Sequence, residues 1–239
     1  MNRKSLAAAF PHTVPVLMGY LSIGIVFGWM LSAADFHPVW SAVMSLTIYA
    51  GSGQYLGVEL LANAAPLANA AFLTLILNFR HLVYGLSMLE KFRGMGWRKL
   101  YMIFSLTDET YALLAGVRAP EGVNEKDFYF GIAVLDHLYW IAGSVIGAVA
   151  GALITINTEG IDFAMTALFL VIAVEQWQSN ERHSPVFLGA AGTLACLLVF
   201  GPDNGWFLIP ALAILVAGLL LMRPRLEAPA VLPKGGKTQ

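Results

Sequence analysis

Arg80 and His81 are adjacent basic side chains in a segment that is otherwise free of charge. Residues 64–89 contain no other Lys, Arg, His, Asp or Glu, and the segment is long enough to cross a bilayer. Arginine keeps its proton in hydrocarbon. At the centre of a membrane helix its charge costs roughly 2.5 kcal/mol or more unless water or a counter-charge receives it. The pair therefore predicts binding of a carboxylate, from a substrate or from another helix.

The same segment predicts one polar helix face. On a helix, Thr74, Asn78 and His81 form one stripe, and Arg80 and Tyr84 form the adjoining one. A face of this kind points into a helix bundle or a water-filled cavity. The alternative is that the arginine side chain snorkels to the nearby membrane interface, although this does not account for the other polar residues.

Opposite charge follows in the next apolar run. Asp108 and Glu109 lie near the centre of residues 100–117. Two neighbouring carboxylates in a membrane cannot both stay ionised cheaply, so one of them needs a proton or a nearby cation. Arg80 is the expected cation, and either acid could be its partner. The pair could orient a substrate or exchange partners during transport, with a protonatable acid as the coupling site, or it could be a static ion pair.

Two further polar groups have open interpretations. Gly51 and Gly53 flank Ser52 in the second apolar run, and each glycine costs about 1 kcal/mol of helix propensity relative to alanine. They predict an unwound break that exposes backbone groups to a substrate, or else a close helix contact. Gln54 favours the break, because a buried amide needs a partner.

Asp136 and His137 are expected near the start of a later span, where the following aromatic residues also fit an interfacial belt.

Composition predicts an all-α, polytopic membrane protein. Mean hydropathy is +0.68, and charged residues make up 12%, about half of what a soluble domain usually carries. The net charge of −1 argues against a nucleic-acid partner, and the single cysteine excludes an intramolecular disulfide. We expect one transmembrane domain over residues 1–222 and a polar, disordered tail over 223–239. The candidate spans, seven or eight in number, are residues 13–33, 38–63, 65–87, 100–117, 128–153, 161–178, 185–200 and 205–222.

The sequence also bears on membrane orientation and on internal duplication. With eight spans both termini lie on one side, and the positive-inside rule places them in the cytoplasm. The basic loop 87–99 would then lie outside. If residues 38–63 instead formed a re-entrant hairpin, that loop would become cytoplasmic, but the C-terminal tail would then be external. A weak internal repeat is suggested by two small-residue motifs, residues 24–28 and 143–147, each followed by an Asp-Phe pair.

Three motifs together resemble one family. Residues 48–54 (IYAGSGQ), 80–85 (RHLVYG) and 106–109 (LTDE) follow in the order and separation typical of AzlC-type branched-chain amino acid permeases. Gly53 departs from the Ser or Ala that is frequent in that family. The resemblance implies proton-driven export of branched-chain amino acids across the bacterial cytoplasmic membrane. It also implies a partner, a small AzlD-type membrane subunit of about four helices.

A transporter of a zwitterion gives each polar group a role. Arg80 and the backbone N–H groups near the break would hold the substrate carboxylate, and Asp108 or Glu109 would receive its ammonium. No enzyme activity, cofactor or metal is expected. The expected substrate-binding residues are Gly51, Ser52, Gly53, Gln54, Asn78, Arg80, His81 and Tyr84, and the expected proton-coupling or ion-pair residues are Asp108, Glu109, Asp136 and His137.

Two other classes compete with this interpretation. An intramembrane hydrolase could use Ser52 with a histidine and Asp136, although Gly-Ser-Gly is not the G-x-S-x-G elbow of serine hydrolases. A subunit that transports only within a complex is the third class.

Overall fold

The computed structural model describes residues 2–154, 183–201 and 207–226, together with Leu170, Val174, Trp177 and Gln178. The chain forms two compact units, residues 1–169 and 170–239. All regular structure in the described ranges is helical, which confirms the all-α prediction. The first unit contains α1 (Arg3–Ala33), α2 (Val39–Thr47), α3 (Gly51–Ala62), α4 (Leu67–Ser87), α5 (Arg98–Phe104), α6 (Asp108–Gly116) and α7 (Glu125–Leu153), and the second contains α8 (Ser184–Phe200) and α9 (Leu208–Leu226).

Helices α8 and α9 pack against each other in the second unit. Gly189 lies near Leu215, and Gly218 lies near Leu188, so the two helices run in opposite directions. Helix α9 includes residues 223–226, which the sequence assigned to the tail. Most of the candidate span 161–178 and residues 227–239 lie outside the described residues.

Helices α1 and α7 pack side by side and run in the same direction. A Cβ atom built on Gly131, near the start of α7, would lie 3.4 Å from the Cβ of Ala9 on α1. A Cβ atom built on Gly151, near the end of α7, would lie 2.9 Å from the Cβ of Ser32. Because these contacts advance together along both helices, α1 and α7 are parallel.

Glycine makes this contact possible. A Cβ on Gly24 would lie 3.0 Å from the backbone nitrogen of Ser144, and one on Gly28 would overlap the carbonyl oxygen of that residue. On the other helix, a Cβ on Gly147 would overlap the backbone of Ile25. Small residues at such positions let two membrane helices touch backbone to backbone. The two motifs that suggested an internal repeat are thus the two sides of one helix contact, and the repeat itself stays a prediction.

Hydrogen bonds tie several connecting segments to the end at which α1 and α7 begin, here called the basic end. The backbone N–H of Asn2 donates to Asp127 (2.7 Å). Arg98, at the start of α5, pairs with the same carboxylate (2.6 Å). Lys126 donates to the carbonyl of Gly94, between α4 and α5 (3.0 Å). The basic segment 87–99 therefore lies at the same end as the N-terminus.

Helices α2 and α3 form a hairpin that turns at residues 48–50. The carbonyl of Ser45, late in α2, lies 2.9 Å from Nε2 of His137, in the interior of α7. Gln54, early in α3, donates to the hydroxyl of Ser45 (3.2 Å). Farther along α3, the Tyr55 hydroxyl donates to the carbonyl of Ile23 (2.7 Å), which lies toward the end of α1. Helix α3 therefore returns toward the end from which α2 came.

Helices α5 and α6 form a second hairpin, which enters from the basic end and turns at residues 105–107. Helix α5 starts beside Asp127. Early in α6, Thr110 donates to Asp136 in the interior of α7 (2.9 Å). Just after α6, the carbonyl of Val117 lies 3.5 Å from the hydroxyl of Tyr129, which is again near the start of α7. This hairpin therefore returns to the basic end.

The two hairpins change the interpretation of candidate spans 38–63 and 100–117. Their helices have 7 to 12 residues, or about 10–18 Å at 1.5 Å per residue, whereas a bilayer core is about 30 Å thick. Each segment is a re-entrant pair of half-helices rather than one crossing helix. Within the described residues, α1, α4 and α7 are long and apolar enough to span a membrane. The predicted break in the second span is confirmed, but it precedes Gly51, and Gly51–Gly53 are helical.

Substitution of Gly28 tests the contact between α1 and α7. We expect Gly28→Ala to lower the free energy of unfolding by about 1–3 kcal/mol, because overpacking of a tight contact costs this much. Gly19→Ala, in the same helix, is the matched control, since no described residue lies within 4 Å of a Cβ at that position. Thermal unfolding of both detergent-purified variants provides the measurement. Equal midpoints would contradict the proposed helix contact.

Candidate functional site

The amino ends of two half-helices lie at the centre of the first unit. The first backbone hydrogen bond of α3 runs from Gln54 N–H to the carbonyl of Ala50 (2.7 Å), so the N–H groups of residues 51–53 precede the intrahelical ladder. Helix α6 begins at Asp108 and is capped by Thr107, whose hydroxyl accepts from the backbone N–H of Thr110 (3.3 Å). The amino end of a helix carries partial positive charge, which favours anions.

Arg80 on α4 joins these two helix ends. Its Nη2 donates to Oγ of Ser52 (2.6 Å), and its Nη1 pairs with Oδ2 of Asp108 (2.7 Å). The Tyr84 hydroxyl donates to the other oxygen of Asp108 (2.8 Å). The partner of the arginine is thus Asp108 and not Glu109, and the guanidinium is held inside the unit rather than extended to the interface.

Two polar atoms near this ion pair lack partners among the described residues. They are Nε of Arg80, a donor, and Oδ1 of Asn78, an acceptor, and both are buried. Asn78 lies against Gly53, where an added Cβ would come within 3.2 Å of its amide nitrogen. A buried polar atom without a partner is costly. The site therefore offers one unused donor and one unused acceptor on the same face of α4.

Aromatic rings border the ion pair. Tyr84 stacks on Tyr111 with ring centroids 4.3 Å apart and planes 11° apart. The ring of His81 meets Tyr84 edge-on at 6.0 Å. His81 thus lies beside the ion pair, in contact with a residue that binds Asp108.

Gln54 and His137 hold the first hairpin to α7. The indole N–H of Trp140 donates to Gln54 (2.7 Å), so both ends of the buried amide are used within the protein. The Nε2 of His137 donates to the carbonyl of Ser45, which leaves Nδ1 to accept from the Tyr101 hydroxyl (2.9 Å). Asp136 and His137 are buried inside α7. The expectation that they lie near the start of the helix is wrong, because α7 begins at Glu125, well before them.

Glu109 lies next to Asp108 in sequence but interacts with a different helix. Its Oε2 accepts from the hydroxyl of Tyr20 on α1 (2.9 Å). The Tyr20 hydroxyl also lies 2.5 Å from that of Thr107, in the turn of the second hairpin. Sequence reasoning missed both hydroxyl residues, since a tyrosine or threonine in an apolar run carries no charge signal.

The geometry does not support a serine hydrolase. Ser52 accepts from Arg80, whereas a nucleophilic serine must donate to a base. Among the described residues no histidine is hydrogen-bonded to Ser52, and both nitrogens of His137 are engaged elsewhere.

A helical membrane protein with polar half-helix ends meeting inside the bundle has an arrangement typical of membrane transport proteins. The AzlC protein family matches residues 15–154, more than half of the chain. A Bacillus subtilis relative, named branched-chain amino acid transport protein AzlC, is 40% identical over 95% of this chain and 91% of its own. The chain therefore belongs to the AzlC family, a family of transport proteins rather than enzymes.

Other relatives agree with membrane location. An uncharacterized membrane protein of Helicobacter pylori J99 is 41% identical over 94% of this chain and 97% of its own length. The inner membrane protein YgaZ of Escherichia coli K12 is 27% identical over 79% of each chain. No solved structure matches the chain.

A double-mutant cycle tests the central ion pair. We expect Arg80→Ala and Asp108→Ala each to destabilise the protein and the double variant to lose less than the sum, with a coupling of about 1–3 kcal/mol. Arg98 and Asp127, an ion pair at the basic end, serve as the control, where we expect about 1 kcal/mol or less. Thermal or denaturant unfolding in detergent measures both cycles. Additive losses at Arg80 and Asp108 would contradict the pairing.

Proposed function

We propose that this chain exports branched-chain amino acids from the bacterial cytoplasm as the large subunit of a two-component, proton-coupled permease in the cytoplasmic membrane. The observation that carries the proposal is Arg80, held between the amino end of α3 and Asp108. The substrate class is supported by the name of the Bacillus subtilis relative. The export direction, the proton coupling and a small AzlD-type partner of about four helices rest on the family resemblance.

The site has complementary groups for both ends of a zwitterion. The substrate carboxylate would bind the N–H groups of residues 51–53 and the guanidinium of Arg80, whose Nε has no partner among the described residues. The substrate ammonium would bind Asp108 and Oδ1 of Asn78, which accepts no hydrogen bond within the described part of the chain. Substrate would thus exchange partners with the ion pair, so that neither charge is left alone in the membrane.

Charge distribution supports a cytoplasmic location for the basic end. The connecting segments at the opposite end, residues 34–38 and 63–66, contain no Lys or Arg. The positive-inside rule places the more basic end in the cytoplasm. The Lys and Arg residues in the segments of the first unit at the basic end are Arg3, Lys4, Lys91, Arg93, Arg98, Lys99, Arg118 and Lys126.

Replacement of Arg80 tests the substrate site. We expect Arg80→Ala to abolish efflux of L-valine, L-leucine and L-isoleucine from preloaded cells, because the substrate carboxylate loses its cation. Arg80→Lys should restore little, since lysine cannot bind two groups in the arginine geometry. The control is Arg98→Ala, which removes an arginine paired at the basic end.

Efflux of the labelled amino acids is measured with and without a co-expressed small AzlD-type subunit, and membrane abundance is measured for each variant. Near-normal efflux by Arg80→Ala would overturn the site assignment. Full efflux without the small subunit would remove the two-component part of the proposal.

Cysteine labelling tests the orientation. In a Cys196→Ala background, we expect Asn63→Cys to react with a membrane-impermeant maleimide in intact cells, because it follows α3 at the end opposite to the basic end. Arg93→Cys should react only after permeabilisation, since it lies in the exposed segment at the basic end. The reverse pattern would place the basic end outside the cell.

A further inference from the structure

A chain of hydroxyl groups connects two acidic side chains outside the Arg80–Asp108 ion pair. Glu109 contacts the hydroxyl of Tyr20 (2.9 Å), which contacts that of Thr107 (2.5 Å). Thr107 contacts Thr110 (3.0 Å), and Thr110 contacts Asp136 (2.9 Å). The chain therefore runs without interruption from a half-buried acid on α6 to a fully buried one on α7.

Counting protons along this chain shows that one is missing when both acids are ionised. The two carboxylates and the hydroxyls of Tyr20, Thr107 and Thr110 form four oxygen–oxygen contacts. Each contact needs one proton, and each hydroxyl supplies one. With Tyr20 donating to Glu109 and Thr107 donating to Thr110, no proton remains for the contact between Tyr20 and Thr107. A fourth proton, on either acid, completes all four hydrogen bonds.

The surroundings of Asp136 also favour the extra proton. Its side chain is fully buried, and Oδ1 has no hydrogen-bond partner among the described residues. Among the described residues, the titratable groups that face it are Tyr20 on α1, Tyr49 in the first hairpin turn, Tyr101 on α5 and Glu109 on α6. None of these groups carries a positive charge, and the neighbouring His137 is engaged at both nitrogens. An ionised carboxylate in such a site would be poorly compensated.

We propose that Glu109 and Asp136 share one proton through the hydroxyl groups of Tyr20, Thr107 and Thr110, and that this relay is the proton path of the transporter. Its transport role rests on the proposed function. When Glu109 is protonated, it donates to Tyr20 and each hydroxyl donates onward to Asp136. When the relay shifts, each hydroxyl passes on its proton and accepts another. Glu109 then becomes a carboxylate and Asp136 a carboxylic acid, with no net change in the hydroxyls.

The relay lies apart from the substrate groups on α4. Asp108 is bound by Arg80 and Tyr84, whereas Glu109, the next residue, is bound by Tyr20. Both acids lie in the first turn of α6. A shift of α6 during substrate exchange at Asp108 would therefore also alter the relay contact at Glu109, which couples the two events mechanically.

Infrared spectroscopy of the purified chain tests the shared proton without any transport assay. We expect the unaltered protein at neutral pH to show a carboxylic-acid C=O stretching band that Asp136→Asn removes, because the amide N–H at that end supplies the missing fourth hydrogen and leaves Glu109 ionised. In Glu109→Gln the amide carbonyl can accept from Tyr20, so the proton stays on the buried Asp136 and the band shifts in frequency without being lost. Asp127→Asn, at an acid paired with Arg98, should leave the band in place. Persistence of the band in Asp136→Asn, an unshifted band in Glu109→Gln, or its absence from the unaltered protein would overturn proton sharing.

Transport in proteoliposomes tests the role of the relay. Tyr20→Phe removes one hydroxyl, and we expect proton movement driven by L-valine or L-leucine to fall about tenfold or more, since a positioned proton-transfer group contributes at least this much. Counterflow of the same amino acids at equal pH, which needs no net proton movement, should persist. Tyr55→Phe removes a buried hydroxyl outside the relay and should affect neither measurement. Thr110→Val should lower proton movement as Tyr20→Phe does, whereas Thr110→Ser, which keeps the hydroxyl, should retain proton movement.

The outcomes separate the relay from the proposed function. Undiminished proton movement in Tyr20→Phe, or equal loss of counterflow and proton movement, would overturn the relay and leave amino acid transport standing. Amino acid transport by the unaltered protein without proton movement would overturn the transport role of the relay. If the unaltered protein moves no branched-chain amino acid, the proposed function fails, and the infrared result still decides whether the two acids share a proton.

Discussion

The backbone contact between α1 and α7 is the interaction on which the rest of the first unit depends. Glycines on both helices remove the side chains that would hold them apart, so the two long helices form one narrow support. Tyr20 projects from one helix, and Asp136, His137 and Trp140 project from the other. These side chains bind the turns and amino ends of both hairpins. A wider separation of α1 and α7 would move the contacts of both hairpins at once.

Hairpins that end inside a membrane must satisfy their own polar groups, because lipid offers no hydrogen bonds. The second hairpin does so with a threonine cap and two acids in the first turn of α6. The first hairpin leaves the N–H groups at the start of α3 available, beside a serine that binds Arg80. One helix end is neutralised by its own side chains, and under the proposed function the other would receive the substrate carboxylate.

Several features could be predicted from the sequence because they carry a large free-energy cost or depend only on residues close together in the chain. Arg80 in an apolar segment required a counter-charge, and the prediction of an acid from residues 108–109 is confirmed as Asp108. The choice between Asp108 and Glu109 could not be predicted, since it depends on the orientation of α6 about its own axis. The hairpins were missed for a similar reason. An apolar run of about 18 residues is long enough to cross a membrane, and its path is decided by contacts of the turn that hydropathy does not register.

The sequence by itself determined that this is an all-helical membrane protein of the AzlC family with a charged centre, since composition, length of apolar runs and three motifs are properties of the chain alone. The tertiary structure decided that Asp108 pairs with Arg80, whereas Glu109 accepts a hydrogen bond from Tyr20. It also decided that Asp136 is buried at the end of a chain of hydroxyl groups. It also decided that the basic segment 87–99 lies at the same end as the N-terminus. The physical reason is that partner choice depends on distances between helices far apart in sequence. Those distances are fixed by backbone contacts between α1 and α7, where the decisive residues are glycines and carry no chemical signal of their own.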